Sequence, residues 1–323
     1  MLNFCTLFDS NYLLRGLALY NSLKNQCTNF HLYIFAFNDL CFETLSKLNL
    51  DNATIIKLKD FEDDELLKIK PSRSKGEYCW TCTPSIILYS ITKFQLDHCT
   101  YLDSDIFFFS DPKILIDEMG KKSVSMTLHN FHPNHDQSEA SGKYCVQFMT
   151  FRNNKKGLEV LKYWRYKCIE WCFNRHEDGK FGDQKYLDDW MTRFDCCYEI
   201  SNIGAGIAPW NLENFQIFRE KDQIICKKHD NSLSFPVVFY HFHNLRFENS
   251  NLAKQIGYKI NPHICSLFYI KYLKEINNIF KKVKNLAKNQ FFDFNKKTSL
   301  YKYFSTKVIK NNYQFNKKGL IKF

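Results

Sequence analysis

The strongest constraint on this chain is the rhythm of its first hundred residues, where short apolar runs alternate with amphipathic ones. "LNFCTLF" (2–8), "HLYIFAF" (31–37) and "ATIIKL" (53–58) read as strands. Helical spacing runs from about Tyr12 to Lys24, with Leu13, Leu17 and Tyr20 on one face, then over 40–49 and through an acidic stretch from Phe61 to Lys68. Near-continuous apolar strands separated by helices belong to a parallel sheet covered on both faces. A polar loop with Arg73, Lys75 and Gly76 follows. Pro84 is expected to open a helix running through Gln95, and one strand is expected over "CTYLDSDIFFF" (99–109). The fingerprint G-x-G-x-x-G is absent after the first strand, where "FDSNYLL" stands, which argues against nicotinamide and flavin chemistry. Ligands of such sheets sit beyond the carboxyl ends of the strands, where both "FDSNY" and "LDSD" fall.

Beyond this the order changes. "SVSMTLH" and "YCVQFMTF" read as strands and 155–175 as a long helix. A polar turn "HEDGKFGDQ" leads into "KYLDDW", "NIGAGIAPWN" is a Gly-rich loop, and "FPVVFYHFHN" (235–244) is a late strand carrying two histidines.

Asp103 and Asp105 stand either side of Ser104 in a run that otherwise reads as a buried strand. Extended backbone sends both carboxylates to one side. Close carboxylates repel and apolar surroundings penalise each, so one takes up a proton unless a cation intervenes. A divalent ion removes the conflict, because Mg2+ and Mn2+ take oxygen ligands and complete their shells with phosphate oxygens. The plainer alternative is a pair of strand-end aspartates capping the next turn, with Asp111-Pro112 as a second cap.

In its context this stretch resembles bacterial nucleotide-sugar glycosyltransferases of the GT-A fold, especially the family 8-like group. The resemblance runs from "TLFDSNYLLRGLALYNSL" through "TYLDSDIFFFSDP" and "GKFGDQKYLDDW" to "YHFHN", about residues 1 to 250. It implies an α/β fold, a Rossmann-like mixed sheet flanked by helices. It also implies Mn2+ (or Mg2+), held by Asp103 and Asp105 against the donor diphosphate and completed by a late histidine. His241 matches that position and His243 is the second choice; nitrogen beside carboxylates favours Mn2+. The resemblance further implies that Asp9 and Asn11 contact the nucleotide, helix capping being the alternative for Asn11. Asp183 and Gln184 match a motif near the acceptor and the anomeric carbon. There Asp183 would be an inverting base or Gln184 a stabiliser in a retaining reaction, and a helix-capping pair is the alternative. The family's arginine in the helix before the aspartates is missing from "WTCTPSIILYS", and Arg73 or Lys75 is the expected substitute at the diphosphate. Ser104 and Trp210 complete the donor-side set. The Trp210 ring either stacks on a sugar or lies buried beside a tight turn.

Charge divides the chain. Of the formal +11, the segment 269–323 contributes +12, from fourteen lysines against Glu275 and Asp293, leaving the remainder near −1. The expected organisation is a catalytic domain at 1–250 and a lysine-rich, helical C-terminal extension at 251–323. Leu273, Ile276, Ile279 or Phe280, Val283 and Leu286 recur at helical spacing between lysines. Such a helix suits an anionic membrane surface, or packs its stripe on the catalytic domain. Nucleic acid is not an expected partner, because the tail has no arginine and no binding motif.

Thirteen scattered cysteines with a single C-x2-C pair, Cys79 and Cys82, read as buried thiols of a reducing compartment rather than a zinc knuckle. His129, His132 and His135 form either a zinc loop or an acceptor-facing loop. Asp9 and Arg15 interrupt any signal-peptide core, and no apolar run nears the ~20 residues of a membrane span. A cytoplasmic protein, peripheral on the inner membrane, is expected. The expected function is metal-dependent transfer of a sugar from a nucleotide-diphosphate sugar to a glycan or lipid-linked glycan acceptor of a capsule or lipopolysaccharide. The alternatives are a sugar-phosphate nucleotidyltransferase, whose basic Gly-rich loop "FDSNYLLRG" lacks, and a non-catalytic nucleotide-sugar-binding protein.

Overall fold

The computed structural model describes residues 1–229, 233–249, 252–286, 314–315 and 320–322. Strands β1 (Leu2–Phe8), β2 (Phe30–Ala36) and β3 (Ala53–Lys57) and helices α1 (Leu13–Gln26) and α2 (Asp39–Lys47) lie within two residues of their expected bounds. The acidic stretch splits into α3 (Leu58–Phe61) and α4 (Asp64–Ile69), because the Asp63 carboxylate accepts from Leu66 N at 3.0 Å and starts a new helix.

Two sequence expectations fail here. Pro84 does not open a helix; it lies inside α5 (Lys75–Lys93). The true start is a capping box: Glu77 N donates to Ser74 Oγ at 3.3 Å and Ser74 N donates to the Glu77 carboxylate at 2.8 Å. Such a cap contributes about 1 kcal/mol, and packing on both sides tolerates the bond that the Pro84 nitrogen cannot give to the carbonyl of Trp80. The strand expected over 99–109 is two strands, β4 (His98–Leu102) and β5 (Ile106–Phe108). Asp103, Ser104 and Asp105 form the turn between them, with Ile106 N donating to Asp103 O at 3.3 Å.

After α6 (Lys113–Glu118) come β6 (Val124–Leu128), α7 (Ser138–Ser141), β7 (Tyr144–Arg152), α8 (Lys155–Glu170), α9 (Trp190–Arg193) and β8 (Cys197–Glu199). Helix α8 stops short of residue 175 because Trp171 turns extended. The main sheet has the order β3-β2-β1-β4-β7-β6-β8, and β7 alone runs against the others. That reversal sets the amino end of β7 beside the carboxyl ends of β1 and β4. A small sheet of β9 (Phe215–Glu220), β10 (Gln223–Lys228) and β11 (Ser234–Pro236) precedes β12 (Phe239–His241), which pairs antiparallel with β5. The late strand expected over 235–244 is thus interrupted, and His243 sits in the turn after β12. A hairpin of β13 (Leu245–Asn249) and β14 (Leu252–Gln255) follows.

Alternate side chains of β1 feed two cores: Phe4 and Phe8 face α1, while Cys5 and Leu7 face α5 and α8. The first core continues across residue 250. After α10 (Pro262–Ile264), helix α11 (Ile270–Val283) buries Tyr272, Leu273, Ile276, Ile279 and Val283 in it, and the Tyr272 ring stacks on Phe242 at 3.8 Å. Fully burying each such side chain contributes about 1.5–3 kcal/mol. The described part of the lysine-rich segment therefore turns its apolar stripe inward, with Lys271, Lys274, Lys281 and Lys282 on the exposed side. Most of the remaining tail lies outside the described residues; β16 (Leu320–Lys322) pairs with β14 and with β15 (Gln314–Phe315). Among the described residues no helix is long and apolar enough to cross a membrane.

Candidate active site

The turn between β4 and β5 carries Asp103 and Asp105 to the carboxyl edge of the sheet. Two neighbours fix it. Asp103 N donates to Gln147 O of β7 at 3.0 Å, and Phe242 N donates to Asp105 O at 2.9 Å. Pairing of β12 with β5 sets His241 opposite Ile106, so the imidazole faces both acids. Its Nε2 lies 3.1 Å from Asp105 Oδ1 and 3.9 Å from Asp103 Oδ2, with the His241 side chain only 6% exposed. On the other side of the ring Nδ1 meets Gln147 Oε1 at 2.8 Å. An amide oxygen can only accept, so Nδ1 carries a proton and Nε2 is the nitrogen turned toward the carboxylates. The Gln147 amide nitrogen is occupied in turn by Thr127 Oγ1 at 3.2 Å. A Cβ on Gly206, whose φ is +82°, would stand 2.3 Å from that nitrogen, so the glycine makes room for the residue that orients His241.

Charge here is unbalanced. Burial, reinforced by Asp105, pushes Asp103 up to about 6 against the pull of His241. Burial also opposes ionisation of Asp105, but the His241 charge and hydrogen bond outweigh it and hold the carboxyl at about 2. His241 is raised well above the ordinary imidazole value: burial works against this, and Asp105 prevails. Burial and then Asp103 push Asp183 up to about 8. Without metal, then, a proton shared between His241 and the carboxylates does the neutralising that a dication would do. Each carboxylate separately faces the imidazole nitrogen whose far side is fixed by an amide, a chemistry that suits a divalent ion, but Asp105 is not among the ligand atoms that lie within 4.8 Å of one another.

The other expected residues divide. Asp183 is 5% exposed and feels the charge of Asp103, whose Oδ1 accepts from Tyr101 Oη at 2.9 Å. Burial and then His241 lower His243 to about 4, and its ring stands edge-on to Trp210 at 5.4 Å. Ser104 is buried within the acidic turn. Asp9 and Asn11 lie at the end of β1 on the same sheet edge, where Asp9 accepts from Asn11 N and Nδ2, both at 2.9 Å. Gln184 donates Nε2 to Ser141 O at 2.5 Å. Arg73 lies over the Phe173 ring at 3.9 Å and donates to Ile169 O at 3.2 Å, and exposed Lys75 opens α5. Trp210 is 3% exposed, donates to His129 O at 2.7 Å and presents its ring to His241 at 5.3 Å, so it walls the site from within. His129 is buried against Phe131, whereas His132 and His135 flank Glu213 at 3.7 and 3.2 Å.

Sequence reasoning missed Gln147, Cys145 and Tyr101. Gln147 is fully buried in a strand of apolar residues, and that lone carboxamide was the available signal. Cys145, two residues earlier on the same strand face, lies with Asp103 and His241 so that one ligand atom from each is within 4.8 Å of the others.

No family model matches the chain. It is 29% identical over 244 residues to the uncharacterized protein YfnD of Bacillus subtilis, covering 74% of this chain and 76% of that protein. It is also 29% identical over 262 residues to the uncharacterized protein YfnF of the same organism, covering 78% and 84%. Among solved structures it is similar to the galactosyltransferase LgtC in complex with donor and acceptor sugar analogues, with a TM-score of 0.54 and 11% identity over 86% of this chain and 96% of that one. With a mixed sheet flanked by helices and an acidic turn at its carboxyl edge, the chain has the GT-A fold.

Proposed function

We propose that this protein transfers a glycosyl group from a nucleotide-diphosphate sugar to a glycan acceptor, as a metal-dependent enzyme of the family 8-like kind. The observation that carries the reading is the meeting of Asp103, Asp105 and the Nε2 of His241 at the carboxyl edge of the sheet. The likeness to LgtC, solved with donor and acceptor sugar analogues, supports it. A divalent ion bound there would neutralise the departing diphosphate. The protein's own part is to hold that ion: Asp103 and Asp105 supply oxygens, and Gln147 keeps the His241 lone pair turned inward. Burial and the Asp103 charge raise the Asp183 carboxyl to about 8 in the metal-free protein, which favours a hydrogen-bond donor toward the sugar until an ion offsets the Asp103 charge and frees it to act as a base. Asp9 and Asn11, at the end of β1, would contact the nucleotide, and exposed Lys75 the diphosphate. A surface polysaccharide acceptor, reached through attraction of the outward lysines of α11 to an anionic membrane, completes the proposal.

The test is thermal stabilisation by a panel of nucleotide sugars with and without Mn2+, repeated on Asp105→Ala. Metal-dependent stabilisation by one donor, abolished in the variant, is expected. Stabilisation that persists unchanged in Asp105→Ala overturns the reading.

A further inference from the structure

We propose that Cys145 supplies its sulfur as a further protein ligand beside Asp103 and His241, so that this centre takes a thiophilic dication such as Zn2+ in preference to Mg2+ or Mn2+. The inference rests on the metal-dependent function proposed above and concerns which ion that site selects.

Three observations carry it. First, Cys145 Sγ, an Asp103 carboxylate oxygen and a His241 ring nitrogen all lie within 4.8 Å of one another, and this is the one such group of three among the described residues. Ligands at about 2.0–2.3 Å from a tetrahedral ion stand roughly 3.3–3.8 Å apart, so the set needs to contract by only about an ångström around an ion. Second, the group is held on rigid elements. Cys145 is 4% exposed, and its carbonyl accepts from Thr127 Oγ1 at 3.2 Å. Asp103 is tied to β7 by its N–H to Gln147 O. Gln147, which orients His241, projects from the same face of β7 as Cys145. One reversed strand thus places both the sulfur and the amide that accepts from the imidazole. Third, a thiolate adds negative charge where a dication is to be held. On binding, the Sγ proton leaves to solvent and the sulfur lone pair goes to the ion. The proton that His241 shares with the carboxylates leaves to solvent as well, and the thiolate and the Asp103 carboxylate offset the two charges of the ion, with Asp105 leaving one net negative charge beside it. Oxygen and imidazole alone suit Mn2+ or Mg2+, and a thiolate shifts preference toward Zn2+ and Co2+.

Co2+ is the probe. Full-length protein, stripped by chelator and kept reduced with a phosphine, is titrated with Co2+ and followed by absorption, and its Zn2+ and Mn2+ affinities are measured by calorimetry. A near-ultraviolet sulfur-to-cobalt band is expected, together with tighter binding of Zn2+ than of Mn2+. In Cys145→Ser the band disappears and Zn2+ affinity falls by at least about tenfold, while Mn2+ binding changes little. Co2+ bound by the wild type without a sulfur band overturns the ligand assignment and leaves the metal-dependent reading standing. Absence of binding by any of the three ions overturns both. His241→Ala leaves all thirteen cysteines in place and is expected to weaken Co2+ binding; a sulfur band and a Co2+ affinity both unchanged in it place the sulfur outside this centre and overturn the assignment, so the test does not depend on Cys145→Ser folding.

Discussion

Two clusters of charge in this molecule use similar residues to opposite ends. Around Arg165 the guanidinium is 15% exposed and fully engaged: Nε donates to Ser85 Oγ at 3.0 Å, and the two terminal nitrogens meet Glu65 at 2.6 Å and Asp63 at 2.5 Å. Its carboxylates stay wet, 53% and 64% exposed, so nothing is left unsolvated. The cluster clamps α4 and α5 to α8. At the acidic turn the carboxylates are drier, 28% and 15% exposed at Asp103 and Asp105, with one imidazole facing both and the buried Asp183 further raised by the Asp103 charge. The first arrangement is complete in itself. The second calls for a borrowed proton or an added cation, which is what marks it as the candidate site and the first as a structural clamp.

The largest effect that would sharpen this contrast is on chemistry. Asp105→Ala is expected to lower metal-dependent glycosyl transfer by at least about 100-fold, measured as initial rate at saturating Mn2+, while Asp63→Ala leaves it unchanged. Equal losses in both variants would erase the distinction. Next, Gln147→Ala frees the His241 ring and should weaken metal binding by about 10–100-fold, read by calorimetry, with the melting temperature of the metal-loaded form as a second measure. Third, pH separates the clusters in metal-free protein. Asp183 is held up to about 8 in the fold, above its unfolded value near 3.8, so its contribution to stability is full below about 4 and drains away as pH rises through about 8. Asp183→Asn should flatten denaturant-unfolding stability across that window; an unchanged slope would mean that the carboxyl is solvated. The smallest effect belongs to the clamp: Arg165→Ala should cost about 1 kcal/mol of stability without altering metal affinity.

Local signals carried the first half of the sheet, because β1 to β3 and α1 to α2 obey a single periodicity. They misplaced the start of α5, where the proline outweighed the Ser74–Glu77 box that marks it. Asp103 and Asp105 were visible as acids in an apolar run, but not that they form a turn, since the break depends on β5 leaving the sheet to pair with β12. What converges on them was less legible. Gln147 and Cys145 reach the site only because β7 is reversed, and strand direction leaves no mark in the residues of one strand. Arg73 reads as free charge in sequence, yet packing on Phe173 occupies it.

The stacking of Tyr272 on Phe242, next to His241, has a consequence for how the protein matures. The imidazole segment is braced by a helix that follows it in the chain, and Arg15 of α1 also donates to the Leu245 carbonyl at 2.8 Å. A ribosome-bound chain lacking α11 would present the two aspartates without a fixed nitrogen to oppose them. The order in which α11 and the imidazole segment dock therefore decides when His241 is held opposite the two acids.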